Sequence, residues 1–139
     1  MALAQYLIDK SALTRLASQA VTQALTPLVR AGLTATAGIV ALEMLYSARR
    51  VAEHDRIRAD LRAHEWLHAI DEDFSRAIDV QRELCTTGRH RAVSLPDLLV
   101  AAIAERHNVT VLHYDADFDL IADVTGQPTR WVVPRGSVA

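Results

Sequence analysis

Short apolar runs alternate with longer amphipathic segments along the whole chain. Runs rich in β-branched and aromatic residues predict strands at residues 6–8, 33–37, 109–113 and 131–133. Apolar residues at helical spacing predict helices from residue 10 and at residues 25–29, 39–50, 56–66, 74–84, 95–106 and 118–124. Because strands alternate with helices, the pattern predicts an α/β sandwich with a mainly parallel central sheet.

Four acidic residues adjoin segments that otherwise favour burial: Asp9, Glu43, Asp97 and Asp115. Asp9 and Asp115 follow predicted strands, and the functional site of a parallel sheet lies beyond the carboxyl ends of its strands. A buried carboxylate is costly unless a cation neutralises it. The four acids therefore predict a metal site.

Glu43 lies within a strongly apolar predicted helix. It shares a helical face with Ile39, Leu42 and Tyr46, so we expect its side chain to point toward the core. An inward carboxylate needs a partner, and this makes Glu43 the hardest of the four acids to explain without a bound cation.

The donor set indicates which cation and which chemistry to expect. Carboxylate oxygens favour Mg²⁺ or Mn²⁺, whereas imidazoles and thiolates favour zinc or copper. Such ions lower the pKa of a bound water and stabilise the leaving oxygen of a phosphodiester. Phosphodiester hydrolysis is thus the reaction class that the acids predict.

Each acid also has a purely structural interpretation. Asp97 can complete a capping box with Ser94, and Asp9 can cap the helix that follows it. Either Asp115 or Asp117 can cap the helix at residues 118–124. The acidic run at residues 71–73 is expected to be a solvated helix cap. Capping and metal binding are compatible, so these interpretations stay open.

A second motif, HEWLH at residues 64–68, matches the H-E-x-x-H pattern of zinc peptidases. In that class His64 and His68 would bind zinc from one face of a buried helix, beside a third ligand further along the chain. Here the motif ends a basic amphipathic segment in which the helix is expected to stop. A zinc peptidase is therefore the weaker alternative.

Composition limits the protein class. The chain has 139 residues, half of them apolar, so we expect one domain at residues 1–133 and a tail at residues 134–139 that we leave out of the functional argument. The net charge of −2 disfavours indiscriminate nucleic-acid binding. The N-terminus does not resemble a signal peptide, and no apolar run is long enough to span a membrane. We expect a cytoplasmic protein.

Four segments together resemble the PIN-domain ribonucleases, and specifically the VapC-type toxins of bacterial toxin–antitoxin pairs. They are LIDKSAL at 7–13, ALEMLYSAR at 41–49, RAVSLPDLLVAAIA at 91–104 and VLHYDADFDLIA at 111–122. Each is weak alone, but their order and spacing are specific, and the match runs from about residue 6 to residue 131. Lys10 departs from the family, which commonly has a small residue there.

The resemblance implies a PIN-like three-layer α/β/α sandwich in which Asp9, Glu43, Asp97 and Asp115 hold Mg²⁺ or Mn²⁺. It also implies that Asp117 is a further ligand or lies just outside the ligand set, and that the Ser11 hydroxyl supports the site.

The same resemblance implies an endoribonuclease, often acting on tRNA or ribosomal RNA, that forms a homodimer and is neutralised by a cognate VapB antitoxin. The alternative is a non-catalytic PIN-like module that binds RNA or protein. Arg89 and Arg91, which precede Asp97, are expected to contact RNA phosphates. Surplus apolar residues on the first two helices are expected to anchor a partner: Leu13, Leu16, Val21, Leu25, Leu28 and Val29.

Overall fold

A five-stranded parallel sheet forms the centre of the computed structural model, which describes residues 2–139. The strands are β1 (Tyr6–Ile8), β2 (Thr34–Ala37), β3 (Glu65–Leu67), β4 (Thr110–His113) and β5 (Thr129–Trp131). Their order across the sheet is β3-β2-β1-β4-β5, and every neighbouring pair is parallel. The predicted parallel sheet is confirmed.

Seven helices connect the strands. They are α1 (Lys10–Leu13), α2 (Gln19–Arg30), α3 (Gly38–Tyr46), α4 (Val51–Leu61), α5 (Asp71–Cys85), α6 (Leu95–His107) and α7 (Asp117–Thr125), with a 3₁₀ turn at His90–Ala92 before α6. The connections through α1–α4 lead from β1 to β2 and then to β3, toward one edge of the sheet. The connections through α5–α7 lead from β3 back past β1 to β4 and then to β5, toward the other edge. Right-handed crossovers therefore place the two groups on opposite faces, which gives the predicted three layers.

The central strands are covered on both faces. All four residues of β2 are buried, as are the last two of β1 and the last three of β4. Strands buried on both sides are typical of parallel sheets. Among residues 2–139, no helix is long and apolar enough to cross a bilayer.

The sheet changes direction between its two middle strands. The chain leaves β1 toward β2 on one side, and later returns to place β4 on the other side of β1, where Leu7 aligns with Val111 and Ile8 with Leu112. In open α/β sheets this reversal opens a crevice at the carboxyl ends of the strands. Asp9 directly follows β1, and Asp115 follows β4 after one residue. The predicted position of the acids is thereby explained.

The prediction of a helix at residues 56–66 was confirmed for residues 56–61 and wrong for the last five residues. Helix α4 ends at Leu61, and residues 65–67 form β3 at the edge of the sheet, paired with β2. Leu67 is buried and its neighbour Trp66 is exposed, as expected for a strand with one face against the core and the other toward solvent. The three-residue strand is too short for this alternation to stand out from the basic helix before it.

The acidic run at the start of α5 is also not fully solvated. Asp73 is buried, accepts a hydrogen bond from the Ile70 amide, and forms two bonds of 2.8 and 3.0 Å with the Arg106 guanidinium of α6. The ion pair joins α5 to α6, so this carboxylate contributes to the packing of the two helices as well as to the helix start.

Candidate active site

Three carboxylates meet at the carboxyl end of β4. Oxygen atoms of Asp97, Asp115 and Asp117 all lie within 4.8 Å of one another. Asp115 and Asp117 come from the turn into α7, whereas Asp97 comes from the first turn of α6. Asp117, which the sequence placed at the margin of the site, lies within this cluster.

Asp9 closes the site from the neighbouring strand. Its Oδ2 accepts a 3.0 Å hydrogen bond from the Ser11 amide and so caps α1, while its buried Oδ1 has no partner. Burial raises the pKa of Asp9, and the nearby charge of Asp115 raises it further. The Ser11 hydroxyl accepts a 2.9 Å bond from the Tyr114 amide and thereby ties α1 to the loop that carries Asp115.

Asp97 has the strongest electrostatic perturbation in the site. Its backbone amide donates to the Ser94 hydroxyl, the expected helix cap, and its side chain hydrogen-bonds that of Asp117. Burial, this bond and the charges of Asp9 and Asp115 raise the pKa of Asp97 to about 9. Asp97 is therefore protonated near neutral pH when no cation is bound.

Backbone hydrogen bonds fix the two acids of the α7 turn. The Asp117 amide donates to Asp115 Oδ1 at 2.9 Å, and Asp117 Oδ2 accepts a bond of the same length from the Ser94 amide. The Asp115 amide donates to Nδ1 of His113, whose pKa burial lowers to about 4. His113 is therefore a neutral core residue that positions Asp115.

Glu43 is covered, as the sequence predicted, but not by the apolar helical face from which this was inferred. The side chains of Leu42 and Tyr46 are exposed, so the predicted buried face does not exist. Glu43 itself is mostly covered, and its Oε2 lies 3.2 Å from Nζ of Lys10, the only lysine in the sequence. Burial raises the pKa of Glu43, and the lysine opposes that rise. The partner of Glu43 is thus an ammonium at the position where the family commonly has a small residue.

The residues present fit a hard divalent cation. The site offers carboxylate oxygens alone, and one oxygen each of Asp9 and Glu43 is buried without a hydrogen-bond donor. Asp97, whose pKa is raised to about 9, holds a proton at neutral pH, and the raised pKa of Asp9 likewise favours proton binding. Oxygen-rich, acidic sites of this kind are suited to metal binding, and a cation entering here would displace the proton of Asp97.

The HEWLH motif does not form a zinc-peptidase site. Its residues lie along β3, where a separation of four residues spans about 13 Å, instead of on one helical face. His64 shares a 2.8 Å hydrogen bond with the Thr34 hydroxyl, and Glu65 Oε1 accepts bonds from the amides of Leu3 and Ala4. The motif therefore anchors the N-terminal segment and the sheet edge.

The two arginines predicted to contact RNA lie beside the 3₁₀ turn before α6. Arg89 Nη1 is 3.3 Å from Asp123 Oδ2, and Arg89 also donates to the Thr87 hydroxyl, whereas Arg91 is exposed. Ser94 joins this turn to Asp117 in the site. The turn is therefore next to the carboxylates, and phosphate contact by the two arginines stays a prediction.

Sequence reasoning missed several residues around the acids. Lys10 was noted only as a departure from the family, although its ammonium is part of the site. Tyr114, Trp131 and the tail at residues 134–139 also line a cleft that reaches Asp115. The adjacency of Lys10 to Asp9 in the sequence is the signal that could have placed Lys10 near the acids. The contacts of the tail form only in the folded chain, so the sequence carries no comparable signal for them.

Comparison with known proteins agrees with this geometry. The PIN domain family matches residues 6–124. Ribonuclease VapC51 of Mycobacterium tuberculosis is 46% identical over 134 residues, covering 96% of this chain and 97% of the relative. Ribonuclease VapC21 of the same species is 43% identical, with the same coverage.

Solved structures share the fold. The crystal structure of DNA-bound VapBC from Salmonella typhimurium aligns with a TM-score of 0.75 at 14% identity, covering 94% of this chain and all of that one. VapBC2 from Rickettsia felis, bound to a promoter DNA fragment, aligns with a TM-score of 0.73 at 16% identity, covering 90% and 96%. The chain belongs to the PIN-domain family and, within it, to the VapC ribonucleases of toxin–antitoxin systems. The family expected from the sequence is confirmed.

Stability should depend on pH because the site holds protons. Asp9 and Asp97 have folded-state pKa values above the ordinary carboxyl value of 3.8. Their protonated forms are favoured by folding, so this contribution is full below about pH 4 and is lost as the pH rises toward 9. In EDTA, the free energy of unfolding should therefore fall between about pH 7 and pH 9, and Mg²⁺ should restore it.

Urea unfolding at the two pH values measures this effect. The variant Asp97→Asn should flatten the pH dependence, because an amide does not ionise, whereas a change at the exposed Asp55 of α4 should leave it as in the parent protein. Stability that rises with pH in EDTA would contradict the protonated state of the site.

Proposed function

We propose that this protein is an endoribonuclease that depends on Mg²⁺ or Mn²⁺. The observation that carries the proposal is the convergence of the Asp97, Asp115 and Asp117 carboxylates at the switch point of a VapC-family fold. Ligands to the ion would be Asp9, Glu43, Asp97 and Asp115, with Asp117 either a further ligand or a hydrogen-bonding partner of the set. The substrate class is RNA, with tRNA and ribosomal RNA as the candidates implied by the family.

The protein's own groups have separate roles in this reaction. When bound, the ion supplies an acidified water and stabilises negative charge on the leaving oxygen. The Ser11 amide fixes Asp9, and the His113 imidazole fixes the backbone of Asp115. Asp97 holds a proton that would leave when its carboxylate becomes a ligand, so loading the site would release protons. Arg89 and Arg91 would contact phosphates at the rim.

Replacing a ligand should abolish cleavage. Asp9→Asn and Asp97→Asn should each lower the rate on labelled RNA by more than about a hundredfold, because even the partners of metal ligands commonly account for 10–100-fold. Both variants should stay folded by circular dichroism, and their stability without metal can rise as repulsion among the carboxylates is relieved. Asp55→Asn on the exposed face of α4 is the control.

The outcomes of this assay are distinct. Asn variants that cut RNA at the parental rate in Mg²⁺ would show that the site is assigned wrongly. A parent protein that binds RNA but does not cut it in Mg²⁺ or Mn²⁺ would favour the non-catalytic alternative.

The proposal extends to a VapB-type antitoxin, which solved structures of related proteins include as VapBC complexes. An arginine of the antitoxin fits the acid pocket, since its planar guanidinium can pair with two carboxylates at once.

The apolar residues that the sequence predicted as a partner surface on α1 and α2 belong partly to the core: Leu13, Val21 and Leu25 are buried. The exposed Leu16 and the half-buried Val29 instead line a groove of about 450 Å³ together with Met44 and Ile57. This groove is the proposed anchor for the antitoxin.

A homodimer is proposed at a second apolar surface. Phe74 and Ile78 on α5 and Leu95 at the start of α6 are more than half exposed and border a groove of about 340 Å³. The sequence placed the dimer and antitoxin surfaces together near the first two helices. Two separate apolar surfaces allow both partners to bind at once.

Two charge substitutions distinguish the surfaces. Leu16→Glu should prevent co-purification of the product of the neighbouring open reading frame and should leave the ribonuclease uninhibited, because burying a charge in the groove is costly. Phe74→Glu should convert the dimer to a monomer in gel filtration while antitoxin binding persists. Equal effects of both variants on both partners would contradict the separation.

A further inference from the structure

The tail at residues 134–139 folds back against the site. The Tyr114 hydroxyl accepts hydrogen bonds from the amides of Gly136 and Val138, at 2.8 and 3.2 Å, and donates to the Val138 carbonyl at 2.9 Å. One side chain thus uses its donor and both acceptor positions to hold this segment. Because Tyr114 immediately precedes Asp115, the tail is attached to the loop that carries an acid of the site.

A cleft of about 660 Å³ opens between the tail, α1 and the start of α7. We call it the tail cleft, and its functional side chains are Lys10, Arg15, Tyr114, Trp131 and Arg135. Asp115 and Ser11 also line it, so the tail cleft is continuous with the acid cluster. A polymer whose backbone reaches the acids can extend into this cleft without leaving the protein surface.

Two arginines, Arg15 and Arg135, line the tail cleft. The Arg15 guanidinium lies 4.5 Å from the ring centroid of Tyr114 and donates to the Ser11 carbonyl at 2.7 Å. Within residues 2–139, neither Arg15 nor Arg135 forms an ion pair with a carboxylate. Their charges are therefore available to a phosphate group.

The same cleft offers an aromatic surface. Trp131 is half-buried, packs edge-on against His113 and Tyr114, and donates its indole N–H toward Asp119. The Arg135 guanidinium lies 5.6 Å from the Trp131 ring centroid. Because Arg135 is exposed, a nucleobase that stacks on the fixed indole would take the place of this guanidinium on the ring, and the guanidinium would then bind the adjoining phosphate.

We propose that the tail cleft binds a nucleotide of the RNA strand next to the phosphate to be cut, with its base on Trp131 and its phosphate on Arg135 and Arg15. The inference rests on the proposed ribonuclease function and adds where the strand lies. It also makes residues 134–139 part of the substrate site. Tyr114 acts as a positioning residue, because its hydroxyl holds the segment that carries Arg135.

Fluorescence tests binding in the cleft directly. The sequence has two tryptophans, so Trp66→Phe leaves Trp131 as the only one. Titrating this variant with a short single-stranded RNA containing all four bases, in EDTA, should quench the fluorescence saturably as a base stacks on the indole. Adding Arg135→Ala should weaken the affinity about tenfold and make it less dependent on salt, because one phosphate contact is lost.

Steady-state cleavage of the same RNA in Mg²⁺ gives the second readout. Arg135→Ala and Tyr114→Phe should raise KM about tenfold and leave kcat within about twofold, since both act on binding and not on the acids. Arg130→Ala is the matched control: Arg130 is exposed on β5 one residue from Trp131, but it points to Tyr6, with its Nη1 3.2 Å from that hydroxyl. This control should behave like the parent protein.

The results separate the two proposals. If both variants cleave RNA with unchanged KM and the fluorescence is not quenched, the proposal that the tail cleft binds RNA is overturned, while the ribonuclease proposal stands. The same result is expected if a partner peptide, and not RNA, binds in the cleft. Quenching without cleavage would support the cleft and overturn the catalytic function. RNA that is neither bound nor cut would overturn both.

Discussion

Mutual repulsion among carboxylates is the constraint on which the site depends. The end of a parallel sheet brings Asp9, Asp97, Asp115 and Asp117 into a partly buried space, where like charges interact strongly. Without a metal cation, a proton on Asp97 and the ammonium of Lys10 reduce the negative charge, and burial raises the pKa of Asp9 as well. Both the proton and the ammonium can be exchanged for a metal ion. The groups that reduce the repulsion in the ion-free site therefore leave the site able to bind a metal.

Lys10 sets this chain apart from a site made of acids alone. As the only lysine, it lies beside Asp9 in sequence and against Glu43 in space. An ammonium here both competes with a metal ion for Glu43 and repels that ion, so it lowers metal affinity.

The sequence allowed the central strands and the acids to be predicted because both follow from local rules. The central strands are short runs of apolar or β-branched residues, and the carboxyl ends of parallel strands share one edge, which places Asp9 and Asp115 together. Predictions failed where the outcome depends on distant contacts. Leu42 and Tyr46 were expected to share a buried face with Glu43 but are exposed, and Glu43 is covered beside Lys10 instead. The strand at residues 65–67 depends on pairing with β2. The tail at residues 134–139 depends on the hydroxyl of Tyr114.

The most direct test of the account is calorimetric titration of the metal-free protein with Mn²⁺ near neutral pH. We expect saturable binding accompanied by proton release, measured as a heat that depends on the ionisation enthalpy of the buffer. Binding should be lost in Asp97→Asn and tightened in Lys10→Met. Absence of saturable binding in the parent protein, or equal binding in Asp97→Asn, would contradict the assignment of these carboxylates as a metal site.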